Sequence, residues 1–175
     1  MTTEELDGRI GEGWSGDAPN GSHVNIVLAH RGSPTFAAAV SMLSNPSPGH
    51  TPVLVCVGET PRHYEPVWPP TLMMNKATAT DERHQTLTWG AAQLGVGQGV
   101  LDAVADRLLA PDLATLVFVA IWVDPAASDE TAVRRAGREA VRAAIGAAVG
   151  GPDAAAVERL VRERDTLSNP FYGGT

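Results

Sequence analysis

Residues 23–34 read HVNIVLAHRGSP, and the first seven of them alternate as a strand does. Val24, Ile26 and Leu28 fall on one face, His23, Asn25 and Val27 on the other. The alternation stops at RGSP, where Ser33 is placed as a helix N-cap and Pro34 as the first helical residue. The helix should run through Phe36, Val40 and Leu43 and end near Asn45. A half-buried strand feeding a helix predicts a sheet with a helical layer on it.

The rest of the chain extends that pattern. Upstream, a weak strand over 9–14 is followed by the turn-rich GDAPNGS of residues 16–22, and residues 1–8 read as a frayed, flexible tail. Downstream, VLVCV (residues 53–57) predicts a strand, and residues 59–70 hold four prolines and predict an irregular loop. LMMNKATAT (residues 72–80) reads as a strand with Met74, Lys76 and Thr78 on one face. Asp81 can cap a helical stretch to Leu109 that is interrupted around Trp89 and Gly90. TLVFVAIWV (residues 115–123) is apolar throughout, as a strand buried on both faces would be. Ser128 can cap a last main helix whose Val133, Gly137, Val141, Ile145 and Val149 recur every four residues, with arginines opposite. A short helix over 154–164 follows. The order β-β-α-β-β-α-β-α predicts one domain over 1–175, a two-layer α+β sandwich with helices on one sheet face.

Composition narrows the function classes. The 175 residues carry 13 basic and 20 acidic side chains, a net charge of −7, which argues against nucleic-acid or anionic-membrane binding. One cysteine, Cys56, excludes an intrachain disulfide framework and a Cys-rich zinc site. No apolar run approaches the roughly 20 residues of a membrane-spanning helix, and the acidic N-terminus is not a signal or transit peptide. The expectation is a soluble, cytoplasmic protein.

Few motifs suggest chemistry. GVGQG (residues 95–99) lacks the preceding strand and the spacing of a dinucleotide fingerprint, and reads as close helix packing or ligand approach. The five histidines have no metal-ligand spacing, so no metal is expected. The arginines at 134, 135, 138 and 142 read as a solvated face, or as partners for an acidic neighbouring subunit. His23 and Asn25 point the same way, about 7 Å apart by strand geometry. Lys76 and Thr78 do so from another strand. These two polar pairs are the candidate site.

Three stretches in one order resemble the formaldehyde-activating enzyme family: HVNIVLAHRGSP (23–34), TLMMNKATATD (71–81) and GAAQLGVGQGVLDAVADRLL (90–109). An entry segment at Gly11 to Asp17 and the tail triplet Asn169, Pro170, Phe171 add to the likeness. The resemblance implies a ribosomal protein S5 domain 2-like fold and a homopentamer with sites between subunits. It implies a lyase that condenses formaldehyde with a tetrahydromethanopterin-type reduced pterin to give the methylene derivative and water. The pterin is then a co-substrate, and no tightly bound cofactor is implied. By position, His23 matches the catalytic acid, and Leu54, Lys76, Thr78 and Gln93 match pterin-contacting residues. Asn25 stands where the family has a pterin-contacting aspartate. His30, Met74 and Leu94 also depart from the family pattern. These departures leave a second reading open, a family-fold protein that acts on or binds a different amine or pterin-like ligand.

The chemistry of such a condensation suits these residues. A reduced pterin brings nucleophilic amines and formaldehyde an electrophilic carbon, so no protein nucleophile is required. The protein must hold both partners and protonate the carbinolamine hydroxyl so that water leaves. Histidine suits that acid role near neutral pH.

Overall fold

The computed structural model describes residues 2–79 and 81–169. The strands are β1 (Ile10–Ser15), β2 (Ser22–His30), β3 (Val53–Leu54), β4 (Cys56–Val57), β5 (Glu65–Pro66), β6 (Thr71–Asn75) and β7 (Thr115–Val123). The helices are α1 (Pro34–Ser41), α2 (Glu82–Thr86), α3 (Gln93–Ala105), α4 (Glu130–Gly150) and α5 (Ala154–Glu163). A π-helical turn, Leu87–Ala92, joins α2 to α3 where Trp89 and Gly90 were expected to interrupt the helix. Five strands form one mixed sheet in the order β1-β2-β7-β6-β3, and β4 and β5 pair separately. β6 and β7 run parallel, which requires a crossover, and α2 and α3 supply it. The architecture is a two-layer α+β fold.

One sheet face is sealed by α3 and α4. Val24, Ile26 and Leu28 of β2 and Val117, Val119 and Ile121 of β7 meet Val133, Val141 and Ile145 of α4 in a core where each is at most 1% exposed. Glycine permits the closest approaches. A Cβ at Gly13 would run into the Ala140 carbonyl, and one at Gly95 into the Arg134 carbonyl, so β1 and α3 lie directly on the α4 backbone. The GVGQG segment therefore serves close helix packing. α1 covers part of the opposite face through a smaller cluster of Ala29, Ala39, Leu72 and Leu116, with Phe36 and Phe118 against it. Among the described residues no helix is long and apolar enough to cross a membrane.

Several boundaries differ from expectation, each for a local reason. The 53–57 strand divides, because Val55 N–H donates to Thr71 O (2.8 Å) while its carbonyl accepts from Val67 N–H (3.1 Å). β6 ends at Asn75, whose Nδ2 donates to Gly49 O (2.9 Å) and Ala77 O (2.6 Å) and curls the chain away; the expected end at Thr80 lies outside the described residues. α1 stops at Ser41, after which tighter turns carry the chain to Asn45. Asp129, not Ser128, caps α4, accepting from Thr131 and Ala132 N–H at 2.9 and 3.0 Å. The backbone N–H groups of Ser128 and Asp129 both donate to Asn20 Oδ1, which fixes that start. The proline-rich loop contains a 3-10 turn, Pro61–His63, and the short β5. At the N-terminus, Glu4–Leu6 form a 3-10 turn with Leu6 buried, and the Asp7 carboxylate accepts from His30 N–H, Ser33 Oγ and Thr35 Oγ1. Two of the four arginines of α4 find acidic partners within the chain: Arg138 pairs with Asp102 (2.6 Å) and Arg142 with Asp106 (2.7 Å). Pro170 and Phe171 of the tail triplet lie outside the described residues.

Candidate functional site

The pleat of β2 puts its apolar residues into the core and sends His23 and Asn25 to the other face. β7 separates β2 from β6, with Asn25 and Met74 both in register with Ala120. Lys76, just past β6, still follows the ladder, since its N–H donates to Ile121 O (2.7 Å). Its long side chain reaches across β7 to the residues of β2. Lys76 Nζ lies 2.6 Å from His23 Nδ1 and donates to Asn25 Oδ1 at 2.8 Å. Three of the expected site residues, from two non-adjacent strands, thus meet at one point.

β1 completes the group. Gly11 and Gly13 face α4, so Glu12 and Trp14 face the site. Glu12 Oε1 is 2.9 Å from His23 Nε2. Trp14 stacks on Trp122 of β7 (ring centroids 6.1 Å, planes 27° apart) and lies 6.3 Å from the His23 ring. Sequence reasoning missed Glu12 and the two tryptophans. The available signal was the alternation of Gly11, Glu12, Gly13 and Trp14, small residues inward and large ones outward.

The electrostatics assign the protons. Burial pushes the His23 pKa down, and the Lys76 ammonium lowers it further, while Glu12 works the other way. Desolvation pushes Lys76 down to about 8, with Glu12 partly opposing. At neutral pH, Lys76 is therefore largely an ammonium that donates to His23 Nδ1. The imidazole is neutral, with its hydrogen on Nε2 donated to Glu12, a tautomer assigned from this network. The group is a chain of hydrogen bonds from carboxylate through imidazole to ammonium to amide.

The other expected residues lie apart from this chain. Leu54 is on β3 at the sheet edge, 44% exposed and in register with Leu72. Thr78 is exposed, beyond the end of β6 and against Gly49. Gln93 opens α3 in the helical layer, where Nε2 donates to Trp89 O (3.0 Å) and Oε1 accepts from Cys56 N–H (3.4 Å). It lines a cleft of about 370 Å³ with Cys56, Tyr64, Trp89, Glu130 and Arg134 among its walls, and neither His23 nor Lys76 reaches it. Within the chain there are thus two separate polar regions, an imidazole–ammonium group on the sheet and a glutamine-lined cleft among the helices.

A family model described as "Formaldehyde-activating enzyme (Fae)" matches residues 10–172. The chain is 32% identical over 168 residues to the 5,6,7,8-tetrahydromethanopterin hydro-lyase of Methanosarcina barkeri (strain Fusaro / DSM 804), covering 95% of this chain and 91% of that one. It is 28% identical over 166 residues to the bifunctional enzyme Fae/Hps of Methanosphaera stadtmanae, covering 94% of this chain and 39% of the relative. A third similar protein, the bifunctional enzyme Fae/Hps of Archaeoglobus fulgidus, is 29% identical over 171 residues, which are 96% of this chain and 42% of its own. The chain spans about two fifths of the length of these bifunctional relatives. With the match running through β1, β2, β6, α3 and β7, the chain belongs to the formaldehyde-activating enzyme family.

Proposed function

We propose that this protein is a hydro-lyase that condenses formaldehyde with a tetrahydromethanopterin-type reduced pterin, forming the methylene derivative and water. The observation that carries this reading is the contact between His23 and Lys76 beside an open aromatic wall of Trp14 and Trp122. Rate comes from two sources. Holding both reactants removes the cost of their encounter, and protonating the carbinolamine hydroxyl turns it into leaving water. His23 is the general acid. Its depressed pKa makes its protonated form scarce but strongly acidic, and the Lys76 ammonium at 2.6 Å supplies the proton. The reaction needs no redox cofactor, because the carbon exchanges oxygen for nitrogen and stays at the oxidation level of formaldehyde throughout.

Lys76, Asn25, Thr78, Leu54 and Gln93 are the proposed pterin contacts. The distance in the fold between the Gln93 cleft and the His23 group supports a site shared between subunits. One protomer then offers its sheet face and a neighbour its helical cleft, in a homo-oligomer that family resemblance makes a pentamer. We place the protein in the cytoplasm, where its small-molecule substrates would be found.

The test is methylene-pterin formation followed by absorbance against the uncatalysed reaction. A clear acceleration is expected, and rates equal to a buffer blank would overturn the proposal. A second reading, with another amine or pterin-like ligand, is favoured by Asn25, an uncharged amide that cannot balance a cationic pterin edge. Thermal shift with tetrahydromethanopterin and tetrahydrofolate separates the two, since a ligand at one hundred times its Kd stabilises by about 2.7 kcal/mol.

A further inference from the structure

The thirteen basic residues of this sequence are twelve arginines and a single lysine, Lys76. Everywhere else the chain carries its positive charge on guanidinium groups, which stay protonated and are poor nucleophiles. At the site it uses the one side chain that becomes a free amine, the group that adds to aldehydes. Its surroundings favour the neutral form. Both hydrogen-bond partners of Nζ among the described residues, His23 and Asn25, are uncharged, and Asn25 stands where the family resemblance places an aspartate. Burial of the ammonium without a counter-ion in contact explains why its pKa falls to about 8. At pH 7 about one Lys76 in ten is then an amine, against roughly one in 2,500 for an ordinary ε-amino group.

We propose that Lys76 captures formaldehyde covalently, as a methylene iminium on Nζ, before the one-carbon unit passes to the pterin; this rests on the condensation proposed above. Each step balances. Lys76 passes a proton to His23 Nδ1 along the existing contact and becomes an amine. Nζ attacks the formaldehyde carbon, and a proton moves from nitrogen to the new oxygen to give a carbinolamine. The protonated His23 returns its proton to the hydroxyl, the C–O bond breaks, and water leaves the Nζ iminium. In sum, the ammonium and formaldehyde become the iminium and water, with one positive charge on each side. A pterin amine then attacks the iminium carbon, the C–Nζ bond breaks, and the second pterin amine closes the ring. The two N–H protons of the pterin amines end on Lys76, which is again an ammonium. Neutral Lys76 is the nucleophile and His23 the proton shuttle, a division of labour suited to a desolvated lysine beside a base.

The experiment traps the iminium with formaldehyde alone. The protein is treated at pH 7 with ¹³C-formaldehyde and cyanoborohydride, folded and in guanidinium chloride, and peptide mapping separates Lys76 from the α-amine. Lys76 should be methylated at least tenfold faster in the folded protein than in the unfolded chain. An equal or slower rate in the folded protein would overturn the proposal. Lys76→Arg keeps a cation but removes the nucleophile. It should lose the acceleration of methylene-pterin formation while the pterin still raises its melting temperature. A Lys76→Arg protein that condenses as fast as the wild type would also overturn it. Because the labelling arm contains no pterin, it stands or falls independently of whether tetrahydromethanopterin is the acceptor.

Discussion

The two faces of the sheet are made by the same strands and behave as different materials. On the helical side, β2 and β7 present an apolar surface of valine, isoleucine and leucine side chains at most 2% exposed, and the glycines of β1 bring α4 onto the backbone. On the other side, the intervening residues of those strands carry Glu12, His23, Asn25 and the paired tryptophans, joined by hydrogen bonds rather than packing. Fold and chemistry are therefore interleaved here at a spacing of one residue. A substitution on one face should be felt in stability, and its neighbour in activity. The sharpest break of this kind is His23→Ala. It should slow the condensation by about 10²–10⁴-fold, the usual contribution of general acid catalysis. Circular dichroism and oligomeric state should be unchanged, because no core residue moves. An unfolded or disassembled His23→Ala protein would show that the open face also holds the structure together.

The inner face answers to a different substitution. Gly13→Ala places a methyl group against the Ala140 carbonyl, a backbone atom that cannot rotate away. α4 must shift, and a loss of about 3 kcal/mol is expected from the urea midpoint, the upper end of ordinary overpacking. Its neighbour Glu12, replaced by alanine, should change stability by less than about 1 kcal/mol, since its bond to His23 is partly solvated. Comparable losses for the two would erase the distinction between the faces. Gln93→Ala extends the comparison to the helical cleft. Loss of one hydrogen bond to the pterin should raise its KM by a factor equivalent to about 1 kcal/mol and leave kcat nearly unchanged. A wild-type KM would remove the cleft from the site.

What was legible in the sequence was whatever depends on neighbours along the chain. The period of two in residues 23–29 and the Ser33–Pro34 start identify β2 and α1, and Ser33 Oγ does accept from Phe36 N–H at 3.0 Å. The orientation of His23 with Asn25 follows from the same period. That Lys76 would reach them was not written locally, because it depends on β7, some forty residues downstream, entering between β2 and β6. Glu12 was hidden for a related reason: two of the six residues of its strand are glycine, and it lacks the apolar rhythm that marks a buried face. Cap choice failed at Ser128 because two adjacent residues could both serve, and Asn20, over a hundred positions away, selects between them. For Arg138 and Arg142 the acidic partners come from within the chain, since Asp102 and Asp106 lie one helix away.

The smallest effect expected is electrostatic, and it tests whether the open face is as dry as its hydrogen bonds suggest. Lys76 has a folded pKa of about 8 against an ordinary 10.5, so between those values the unfolded chain holds more protons than the folded one. Stability therefore rises as pH is raised from 8 to 10.5, and below pH 8 the cost of the buried ammonium is fully present. His23 has the same sign, its pKa also being lowered, so stability should fall as pH drops below its unfolded value near 6.5. Lys76→Met removes the first of these. The variant's advantage over wild type, read from urea midpoints at pH 7, 9 and 10.5, should be greatest at pH 7 and shrink towards pH 10.5. Partial exposure of the ammonium to solvent keeps that advantage modest. A gap that stays constant with pH would mean that Lys76 keeps its hydration, and that the sheet's open face, unlike its inner one, imposes no cost on charge.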